Sequence, residues 1–422
     1  MTPTSESLPG IPRIETIAIG DELLTGKIAD TNSAFVAGEF FRRGYPLQRT
    51  TVVADDFNAM KTAILESGSR ADVVVVFGGL GPTTDDRTAE CVARMLGTKL
   101  VEHPPSKTRL YERYKELGRT INDHSLKQVL YPEACEPLAN AKGMAPGFRC
   151  RFADAVFFFL PGVPLEMRVM FENSVIPYVK EKLPSQTRVW SRTWKLIGIG
   201  ESDVQKMTTP IEATMKEGEW LGYRTRFPEN HLSLYLKGGE DVLSRFVELS
   251  ETIRKTVKPW TYTEEPEELE EMILRRLHFA KMELVLAESC TGGLVSQRLT
   301  RVPGASAYLW GGYNVYKVEA KEAMLDVALS DPEEAVSEST TRRLAENAKK
   351  KSGCDVAAAV TGYLGPTGGT KENPVGTIYV CVIGKKRHER KILLPSRHRE
   401  EAQWGAATWV LREILSCLES EA

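Results

Sequence analysis

The stretch VVVVFGGLGPTTDD, from Val73 to Asp86, indicates the fold of the first half of the chain. Its apolar run, Asp72 to Phe77, lacks the alternation of polar and apolar residues that a half-exposed strand shows. Such continuous runs are typical of strands buried on both faces of a parallel sheet that helices cover. Glycines and a proline follow at once, so the chain turns sharply at the carboxyl end of this strand, where open α/β sheets bind their ligands.

Strands and helices alternate on both sides of this stretch, which predicts an α/β domain over residues 1–183. Asn32 is a plausible cap of the first long helix. The predicted strands are Ile14–Gly20, Leu47–Val53 and Val156–Leu160, and the predicted helices are Thr31–Arg43, Asn58–Ser67, Arg87–Leu96, Ser106–Leu117 and Leu165–Leu183.

The remainder of the chain predicts two further parts. Residues 184–263 carry short alternating strands around one helix, typical of a small α+β module. Six glutamates between 264 and 271 indicate a solvated linker that leads into the next helix. Residues 264–422 again alternate strands with helices, and Ser337 is the expected cap of one of them. The predicted fold class is therefore α/β, with two α/β domains of mostly parallel sheet joined by an α+β module.

Composition excludes several classes of protein. The 422 residues carry a formal charge of -2, so no global positive field attracts nucleic acid. The seven cysteines form no C-x-x-C pair, and no H-E-x-x-H occurs, so any metal is expected on oxygen ligands. The first thirteen residues do not resemble a signal peptide, and no apolar run reaches the ~20 residues that span a bilayer. We therefore expect a cytoplasmic protein without nucleic-acid or membrane partners.

Two motifs of the first domain follow strands and carry oxygen ligands. Asp21 lies in GDELLTG, and Asp85 and Asp86 end GGLGPTTDD, where the carboxylates could bind a divalent cation. Free N–H groups of the glycines, with Thr83 and Thr84, could hold a pyrophosphate. Alternatively, the glycines only form a tight turn and the aspartates cap the next helix. The motif is neither a Walker loop nor a G-x-G-x-x-G fingerprint, which disfavours a kinase or a nicotinamide dehydrogenase.

The motif AESCTGG, Ala287 to Gly293, presents Ser289 between a buried strand and a helix. N–H groups at the helix N-terminus could stabilise an oxyanion, or Ser289 could simply cap the helix. Cys290 is a second candidate nucleophile, but no histidine is near it in the sequence. Candidates for the base are Tyr316 and Lys321, and a desolvated lysine can accept a serine proton. Alternatively, Lys321 is a surface residue of a helix.

The glycine-rich segment Val360–Thr377 is predicted to be a loop between two strands. Its backbone N–H groups and its threonines Thr361, Thr367 and Thr370 could hold a phosphate. Ordered loops of this length in compact domains are often binding loops.

Taken together, these motifs resemble the CinA family of competence/damage-inducible proteins. GDELLTGKIADTNS, GGLGPTTDD, APGF and LPGVPLEM are similar to its N-terminal half, which is itself similar to molybdopterin-binding domains. AESCTGG, VPGASAY, EAK, AVSE, TGYLGP and NPVGT are similar to its C-terminal nicotinamide-nucleotide amidase half. The resemblance covers almost the whole chain.

The resemblance implies two hydrolase activities of pyridine-nucleotide recycling. The first domain would be an ADP-ribose pyrophosphatase that uses a divalent metal ion at Asp21, Asp85 and Asp86. The last domain would convert nicotinamide mononucleotide (NMN) to nicotinate mononucleotide and ammonia, with Ser289 as nucleophile, Lys321 as base and Tyr316 assisting, and with no cofactor. A homodimer is expected. The residues expected to bind the substrates are Gly78, Gly79, Gly81, Thr83, Thr84, Gly143, Thr291, Gly292, Thr361, Gly365, Gly368, Gly369 and Thr370.

Four residues are the clearest departures from the family pattern. Lys317 and Val318 stand where the family has serine and asparagine in A-Y-S-N-E-A-K, and Tyr363 and Leu364 stand where it has isoleucine and alanine in T-G-I-A-G-P. These departures leave an alternative open, a non-catalytic nucleotide- or pterin-binding protein whose amidase site has drifted.

Overall fold

The fold is seen in a computed structural model that describes residues 12–184, 188–395 and 398–419. The chain divides into two units. The first comprises residues up to 191 together with 217–219 and 235–247, and the second comprises 192–216, 220–234 and the residues from 248 onward. The predicted middle module is thus shared between the units, and the predicted boundaries at residues 183 and 263 stay a prediction.

A six-stranded sheet of order β2-β1-β3-β8-β7-β6 forms the centre of the first unit. The four strands β2, β1, β3 and β8 are parallel, and β7 and β6 extend the sheet in antiparallel fashion. A separate two-stranded sheet pairs β4 with β5. The strands are β1 (Ile14–Ile19), β2 (Leu47–Val53), β3 (Val73–Phe77), β4 (Leu100–Glu102), β5 (Leu130–Pro132), β6 (Glu136–Leu138), β7 (Gly147–Phe152) and β8 (Ala155–Leu160).

Strand β3 is buried on both faces, as its sequence predicts. Val74 and Val76 pack into one hydrophobic cluster, and Val73, Val75 and Phe77 pack into another on the opposite face of the sheet. Helices α2, α3, α4, α7 and α8 supply residues to these clusters. The helices of this unit are α1 (Asp21–Leu24), α2 (Thr31–Arg42), α3 (Phe57–Gly68), α4 (Thr88–Leu96), α5 (Pro104–Glu116), α6 (Asp123–Lys127), α7 (Pro164–Met170) and α8 (Ile176–Lys182).

Two details of these helices differ from the predictions. Asp30, not Asn32, caps α2, because its carboxylate accepts the Ser33 N–H at 2.9 Å. Asn32 instead donates its side-chain amide to the carbonyl of Gly162 at 2.7 Å. The single helix predicted over residues 165–183 is α7 and α8 joined by a π-helical turn, Phe171–Val175.

The middle segment contributes a four-stranded sheet of order β10-β11-β9-β12. It contains two helices rather than the single one predicted. Its elements are β9 (Arg188–Ile197), α9 (Glu201–Glu212), β10 (Glu219–Arg226), β11 (Glu229–Gly238), α10 (Leu243–Val257) and β12 (Thr261–Thr263).

A five-stranded sheet of order β14-β13-β15-β16-β17 forms the centre of the second unit. Strands β14, β13 and β15 are parallel, and β16 and β17 are antiparallel. The α/β fold class is therefore confirmed. The elements are α11 (Leu269–Ala280), β13 (Leu284–Glu288), α12 (Leu294–Thr300), β14 (Leu309–Asn314), α13 (Val318–Leu325), α14 (Glu338–Ser352), β15 (Val356–Gly362), β16 (Thr377–Ile383), β17 (Arg387–Leu393) and α15 (Arg399–Glu419).

The starts of three helices show which sequence signals hold. Ser337 caps α14 as predicted, accepting the Thr340 N–H at 3.1 Å. Helix α12 starts two residues later than predicted, because Gly292 and Gly293 adopt left-handed φ angles of 62° and 97°. Before α11 the run of glutamates is not wholly solvated, since Glu270 is buried and pairs with Arg298 at 2.5 Å.

Candidate functional sites

The carboxyl ends of the parallel strands β1, β2, β3 and β8 meet at one edge of the first sheet. Gly78, directly after β3, has a φ of 103°, and a Cβ atom there would overlap the carbonyl oxygen of Ile19. At Gly79, with a φ of 67°, a Cβ atom would overlap the Thr88 hydroxyl, which donates to the Gly78 carbonyl at 2.9 Å. Both positions therefore require glycine, and the turn is part of the packing of this edge.

The rest of the GGLGPTTDD turn is closed by Asp86. Its carboxylate accepts the N–H of Thr83 at 2.9 Å and also the Thr83 hydroxyl. A Cβ atom at Gly81 would lie 2.6 Å from the same carboxylate. Asp86 is thus engaged in the turn itself and does not cap the next helix, because Arg87 is the N-cap residue of α4 and, among the described residues, no side chain caps that helix. Thr84 and Asp85 lie at the exposed end of the turn.

Asp21 lies beside a carboxylate that the sequence reasoning missed, Asp55. The Asp21 N–H donates to the Asp55 carboxylate at 3.0 Å, and the Asp55 N–H donates to that of Asp21 at 3.3 Å. Burial raises the pKa of Asp55, and the charges of Asp21, Glu22 and Asp85 raise it further. Asp21 and Asp85 therefore lie near one carboxylate. The signal for Asp55 was its place after β2, the neighbour of β1 in the sheet.

These carboxylates do not form a complete metal cage. Over residues 12–184, 188–395 and 398–419, no group of three or more histidine, cysteine, aspartate or glutamate side chains is arranged to hold a metal ion. Magnesium needs no such cage, because proteins commonly bind it through one or two carboxylates and the phosphates of the substrate. The hard oxygen donors of Asp21 and Asp85 fit a cation of that kind.

Asn140 holds the loop that contains Gly143. Its side-chain oxygen accepts the Gly143 N–H at 2.9 Å, and its amide donates to the Glu166 carboxylate at 2.7 Å. That carboxylate occupies the space that a Cβ atom at Gly143 would need. The predicted substrate contact of Gly143 thus has its N–H already bound, and Glu166 serves to position this loop.

In the second unit, the parallel strands β13, β14 and β15 likewise bring their carboxyl ends to one edge. Ser289 directly follows β13, and Lys321 lies on α13. The Lys321 amine donates to the Ser289 hydroxyl oxygen at 3.0 Å and to the Val315 carbonyl at 2.7 Å. Only 1% of Lys321 is exposed, so the interpretation of a surface lysine does not hold.

Burial lowers the pKa of Lys321, because a charged amine is costly to desolvate. In the part of the chain that the structure describes, no carboxylate forms an ion pair with Lys321 to offset that cost. The lowered pKa favours the neutral form, and in that form an amine 3.0 Å from the hydroxyl oxygen is placed to accept its proton.

Cys290, the second candidate nucleophile, is disfavoured by its surroundings. It is 5% exposed, and burial raises the pKa of its thiol to about 12. The thiolate is the nucleophilic form of cysteine, and it is scarce at neutral pH when the pKa is so high.

Glu288, immediately before Ser289, is a buried carboxylate that the sequence reasoning overlooked. It is 2% exposed and accepts five hydrogen bonds. The donors are the Thr291 hydroxyl (2.8 Å), the N–H groups of Gly293 (3.1 Å), Val295 (3.0 Å) and Ser296 (2.8 Å), and the Ser296 hydroxyl (2.6 Å). The first N–H groups of α12 therefore bind Glu288, in contrast to the expectation that they face an oxyanion.

Tyr316 lies on the exposed side of this edge, with 57% of its surface accessible. Its hydroxyl accepts a hydrogen bond from Arg399 at 2.8 Å, and Arg399 also donates to the carbonyl of Gly365 at 2.6 Å. Within the described ranges, Tyr316 makes no hydrogen bond to Ser289 or Lys321. Arg399, at the start of α15, is a further residue that the sequence reasoning missed.

The glycine-rich segment is partly strand and partly loop. Thr361 belongs to β15, is fully buried, and its hydroxyl pairs with that of Thr341 at 2.7 Å. Leu364 is also buried in the core, so it does not line a substrate loop as its position suggested. Thr370 forms a tight turn with Asn373 through hydrogen bonds of 2.8 and 3.0 Å. Gly365, Gly368 and Gly369 all have left-handed φ angles.

A cavity of about 950 Å³ adjoins the turn after Ser289. Thr291 and Gly292, both predicted to bind substrate, line it together with Trp404 and Gln403 of α15. Gln403 also donates to the carbonyl of Cys290 at 3.3 Å.

Among the described residues, no helix is both long and apolar enough to cross a membrane.

Comparison with known proteins shows that the chain contains two known family domains. Residues 15–181 match the domain described as a probable molybdopterin binding domain, and residues 266–418 match the CinA C-terminal domain. A CinA-like protein of Anaeromyxobacter dehalogenans is 39% identical over 88% of this chain and 91% of its own length. A CinA-like protein of Geotalea uraniireducens is 34% identical over 97% of this chain and 99% of its own.

Among solved structures, the CinA protein of Thermoplasma acidophilum is 32% identical, with a TM-score of 0.36, and the match covers 40% of this chain and 98% of that one. Matches to the full-length relatives cover both candidate sites. The chain therefore belongs to the CinA family and contains a molybdopterin-binding-like domain followed by a CinA C-terminal domain.

Proposed function

We propose that the second unit is a nicotinamide-nucleotide amidase, which converts NMN and water to nicotinate mononucleotide and ammonia. The observation that carries this proposal is the distance of 3.0 Å between the buried Lys321 amine and the Ser289 hydroxyl. The resemblance of AESCTGG and EAK to the amidase half of the CinA family supplies the substrate.

The proposed reaction has two stages. Lys321 accepts the Ser289 proton while the serine oxygen adds to the carboxamide carbon, and the carbonyl oxygen takes up the negative charge. Collapse of this tetrahedral intermediate breaks the bond to nitrogen, and the Lys321 ammonium protonates the departing NH₂ group, which leaves as ammonia. Water, deprotonated by Lys321, then adds to the ester. Collapse of the second intermediate releases nicotinate mononucleotide, and the Lys321 ammonium returns the proton to the Ser289 oxygen.

Arg399 is assigned to the phosphate end of the substrate, and Tyr316 is assigned to proton transfer. The Arg399 guanidinium connects the Tyr316 hydroxyl to Gly365. A guanidinium beside a loop of left-handed glycines is suited to a phosphate, because it offers several donors in a planar array. The Gly365–Thr370 loop would contribute backbone N–H groups.

The amidase proposal is tested by measuring ammonia and nicotinate mononucleotide after incubation with NMN. The wild-type chain is expected to form both in equal amounts, and Ser289→Ala is expected to form neither. Ser352→Ala, on the far end of α14, is a matched control that should retain full activity. Ammonia release that survives Ser289→Ala would overturn the assignment.

We also propose that the first unit hydrolyses the pyrophosphate bond of ADP-ribose with a divalent cation. This proposal is supported by the hydrogen bonds between Asp21 and Asp55 at the edge of the sheet where Gly78 and Gly79 also lie. Asp21 and Asp85 would hold the cation, which when bound would polarise the phosphate oxygens. The turn would bring backbone close to the pyrophosphate.

The pyrophosphatase proposal predicts AMP formation from ADP-ribose that stops on chelation. Asp85→Asn combined with Asp86→Asn should also stop it. Asp331→Asn, a helix cap in the second unit, should not. Turnover by the double variant in the presence of a chelator would rule out the metal role.

The non-catalytic alternative makes a different prediction for the same samples. If the chain only binds nucleotides or pterins, ADP-ribose or NMN will raise the unfolding temperature but no product will form. Tight pterin binding without phosphohydrolase activity would favour a molybdopterin-handling protein.

A further inference from the structure

The turn from Ser289 to Gln297 uses nearly all its backbone N–H groups internally. Because buried N–H groups in native proteins almost always have partners, each one can be accounted for. Four donate to backbone carbonyls: Ser289 to Val360 (3.2 Å), Gly292 to Ser289 (3.1 Å), Leu294 to Thr291 (3.2 Å) and Gln297 to Gly293 (2.9 Å). Three more, those of Gly293, Val295 and Ser296, donate to the Glu288 carboxylate.

Two N–H groups of this turn remain, those of Cys290 and Thr291. In the part of the chain that the structure describes, neither donates to an acceptor on another residue. Both residues are buried, at 5% and 3% exposure. The Cys290 N–H approaches its own thiol, which is only a weak acceptor. A buried N–H without a good acceptor is costly, so a ligand oxygen is the expected partner.

Hydrogen bonds to the carbonyl oxygens of the same two peptide groups fix the directions of these N–H groups. In a trans peptide the C=O and the following N–H point in opposite directions. The carbonyl of Ser289 accepts the Gly292 N–H, which fixes the peptide that contains the Cys290 N–H. The carbonyl of Cys290 accepts the Gln403 amide at 3.3 Å, which fixes the peptide that contains the Thr291 N–H.

We propose that the N–H groups of Cys290 and Thr291 form the oxyanion hole of the Ser289 site, and that Glu288 is the positioning residue that keeps it open. The proposal rests on the amidase function proposed above. In α/β-hydrolases the residue after the nucleophile supplies such an N–H group. Glu288 binds the N–H groups on the α12 side of the turn, so they do not compete for the oxyanion and the turn keeps its shape.

The test is steady-state kinetics of the full chain with NMN and the variant Glu288→Gln. Glutamine has one carboxamide oxygen and an NH₂ group, so it cannot accept all the hydrogen bonds that the carboxylate accepts. The turn should then relax and misplace both N–H groups. We expect kcat to fall about 100-fold or more, the range for loss of an oxyanion-hole donor, while KM stays within about threefold.

An aldehyde analogue of NMN separates oxyanion stabilisation from general damage. Its aldehyde adds to the Ser289 hydroxyl and places an oxygen in the hole. It should bind wild type more tightly than Ser289→Ala, and Glu288→Gln should lose most of this difference. Glu413→Gln removes a buried carboxylate paired with Arg390 at 2.8 Å elsewhere in the unit, and it should change neither kcat nor aldehyde affinity.

A second variant provides the test in case Glu288→Gln does not fold. Gln403→Leu frees the Cys290 carbonyl and should lower kcat about 10-fold with little change in KM. Suppose that wild type deamidates NMN, but Glu288→Gln keeps the wild-type kcat and aldehyde affinity. The oxyanion-hole assignment is then wrong, while the amidase function stands. The same holds for Gln403→Leu if it is used in place of Glu288→Gln. If wild type releases no ammonia, the amidase function itself fails and the assignment fails with it.

Discussion

At the Ser289 hydroxyl, a buried lysine takes the place that histidine has in the common serine hydrolases. Lysine can accept a proton near neutral pH only if its charged form is destabilised, and the surroundings of Lys321 do this by burial. The same burial makes the residue costly for folding. Function and stability are therefore opposed at this position.

Replacing Lys321 by methionine should remove this opposition. Methionine keeps the length of the chain but carries no charge, so Lys321→Met is expected to lower kcat for NMN by about 100- to 10,000-fold, the usual contribution of a general base. Lys351→Met, at a partly exposed lysine of α14, is the matched control and should retain activity.

The stability of these variants should depend on pH in a defined way. The pKa of Lys321 is lowered in the folded state, so between that pKa and its unfolded value near 10.5 the unfolded chain binds more protons. Wild-type stability should therefore gain from rising pH in this window. The unfolding temperature of Lys321→Met relative to wild type should be highest near neutral pH and fall toward pH 10.5. A pH-independent difference would contradict this account.

Amidase activity should follow the same titration. Only the neutral amine accepts the serine proton, so kcat/KM for NMN should rise with pH and level off above the lowered pKa of Lys321, well before 10.5. Lys321→Arg, always charged, should be inactive throughout. A profile that falls with rising pH over this range would contradict a lysine base.

At the scale of elements, the glycine turn after β3 offers a matched pair of substitutions. Gly79 and Gly97 have similar φ angles, 67° and 64°, but only at Gly79 would a Cβ atom meet a neighbour, Thr88. Gly97→Ala is expected to cost about 1–2 kcal/mol of unfolding free energy from backbone strain alone and to keep AMP formation. Gly79→Ala should cost about 1–3 kcal/mol more and reduce it, as denaturant unfolding and the ADP-ribose assay would show. Equal losses of unfolding free energy in the two variants would contradict this account, because they would mean that the Thr88 side chain moves aside without cost.

The glutamates around the start of α11 offer a second matched pair of substitutions. Glu270 is buried against Arg298, and Glu267 forms a half-exposed pair with Arg275. Glu270→Ala should lower the free energy of unfolding by about 3–5 kcal/mol, because it leaves a buried charge without a partner. Glu267→Ala should change it by less than about 1 kcal/mol. Similar losses from both variants in urea unfolding would contradict the burial of this pair.

Much of the element order could be predicted from sequence, since β2 has the predicted bounds and Ser337 is the predicted cap. Local patterns settle such features because hydrophobic period and capping chemistry act over a few residues. Helix α15, which supplies Arg399, was missed, and so was the burial of Glu270. Both depend on partners distant in the chain.

For the whole molecule, the sequence found the Ser289–Lys321 pair but not the surroundings that define its chemistry. The two residues lie 32 positions apart, and the resemblance to the family selected them. Glu288, Asp55 and Arg399 matter through hydrogen bonds that only the folded chain reveals. The expected homodimer and the absence of nucleic-acid partners stay predictions. Light scattering after size-exclusion chromatography would test the homodimer.

The two proposed activities should be separable in the intact chain. Ser289→Ala is expected to abolish ammonia release and leave AMP formation within about twofold of wild type, because it removes a single hydroxyl from the second unit. Asp21→Asn with Asp85→Asn should do the reverse. Loss of both activities in either variant, with unfolding temperature unchanged, would contradict independent sites.

The central claim is that Ser289 and Lys321 hydrolyse the carboxamide of NMN, and the most direct test is quantification of ammonia from NMN by the intact wild-type chain and by Ser289→Ala. The account predicts stoichiometric ammonia and nicotinate mononucleotide from wild type and none from the variant. Wild-type protein that binds NMN without releasing ammonia, or a variant as active as wild type, would contradict it.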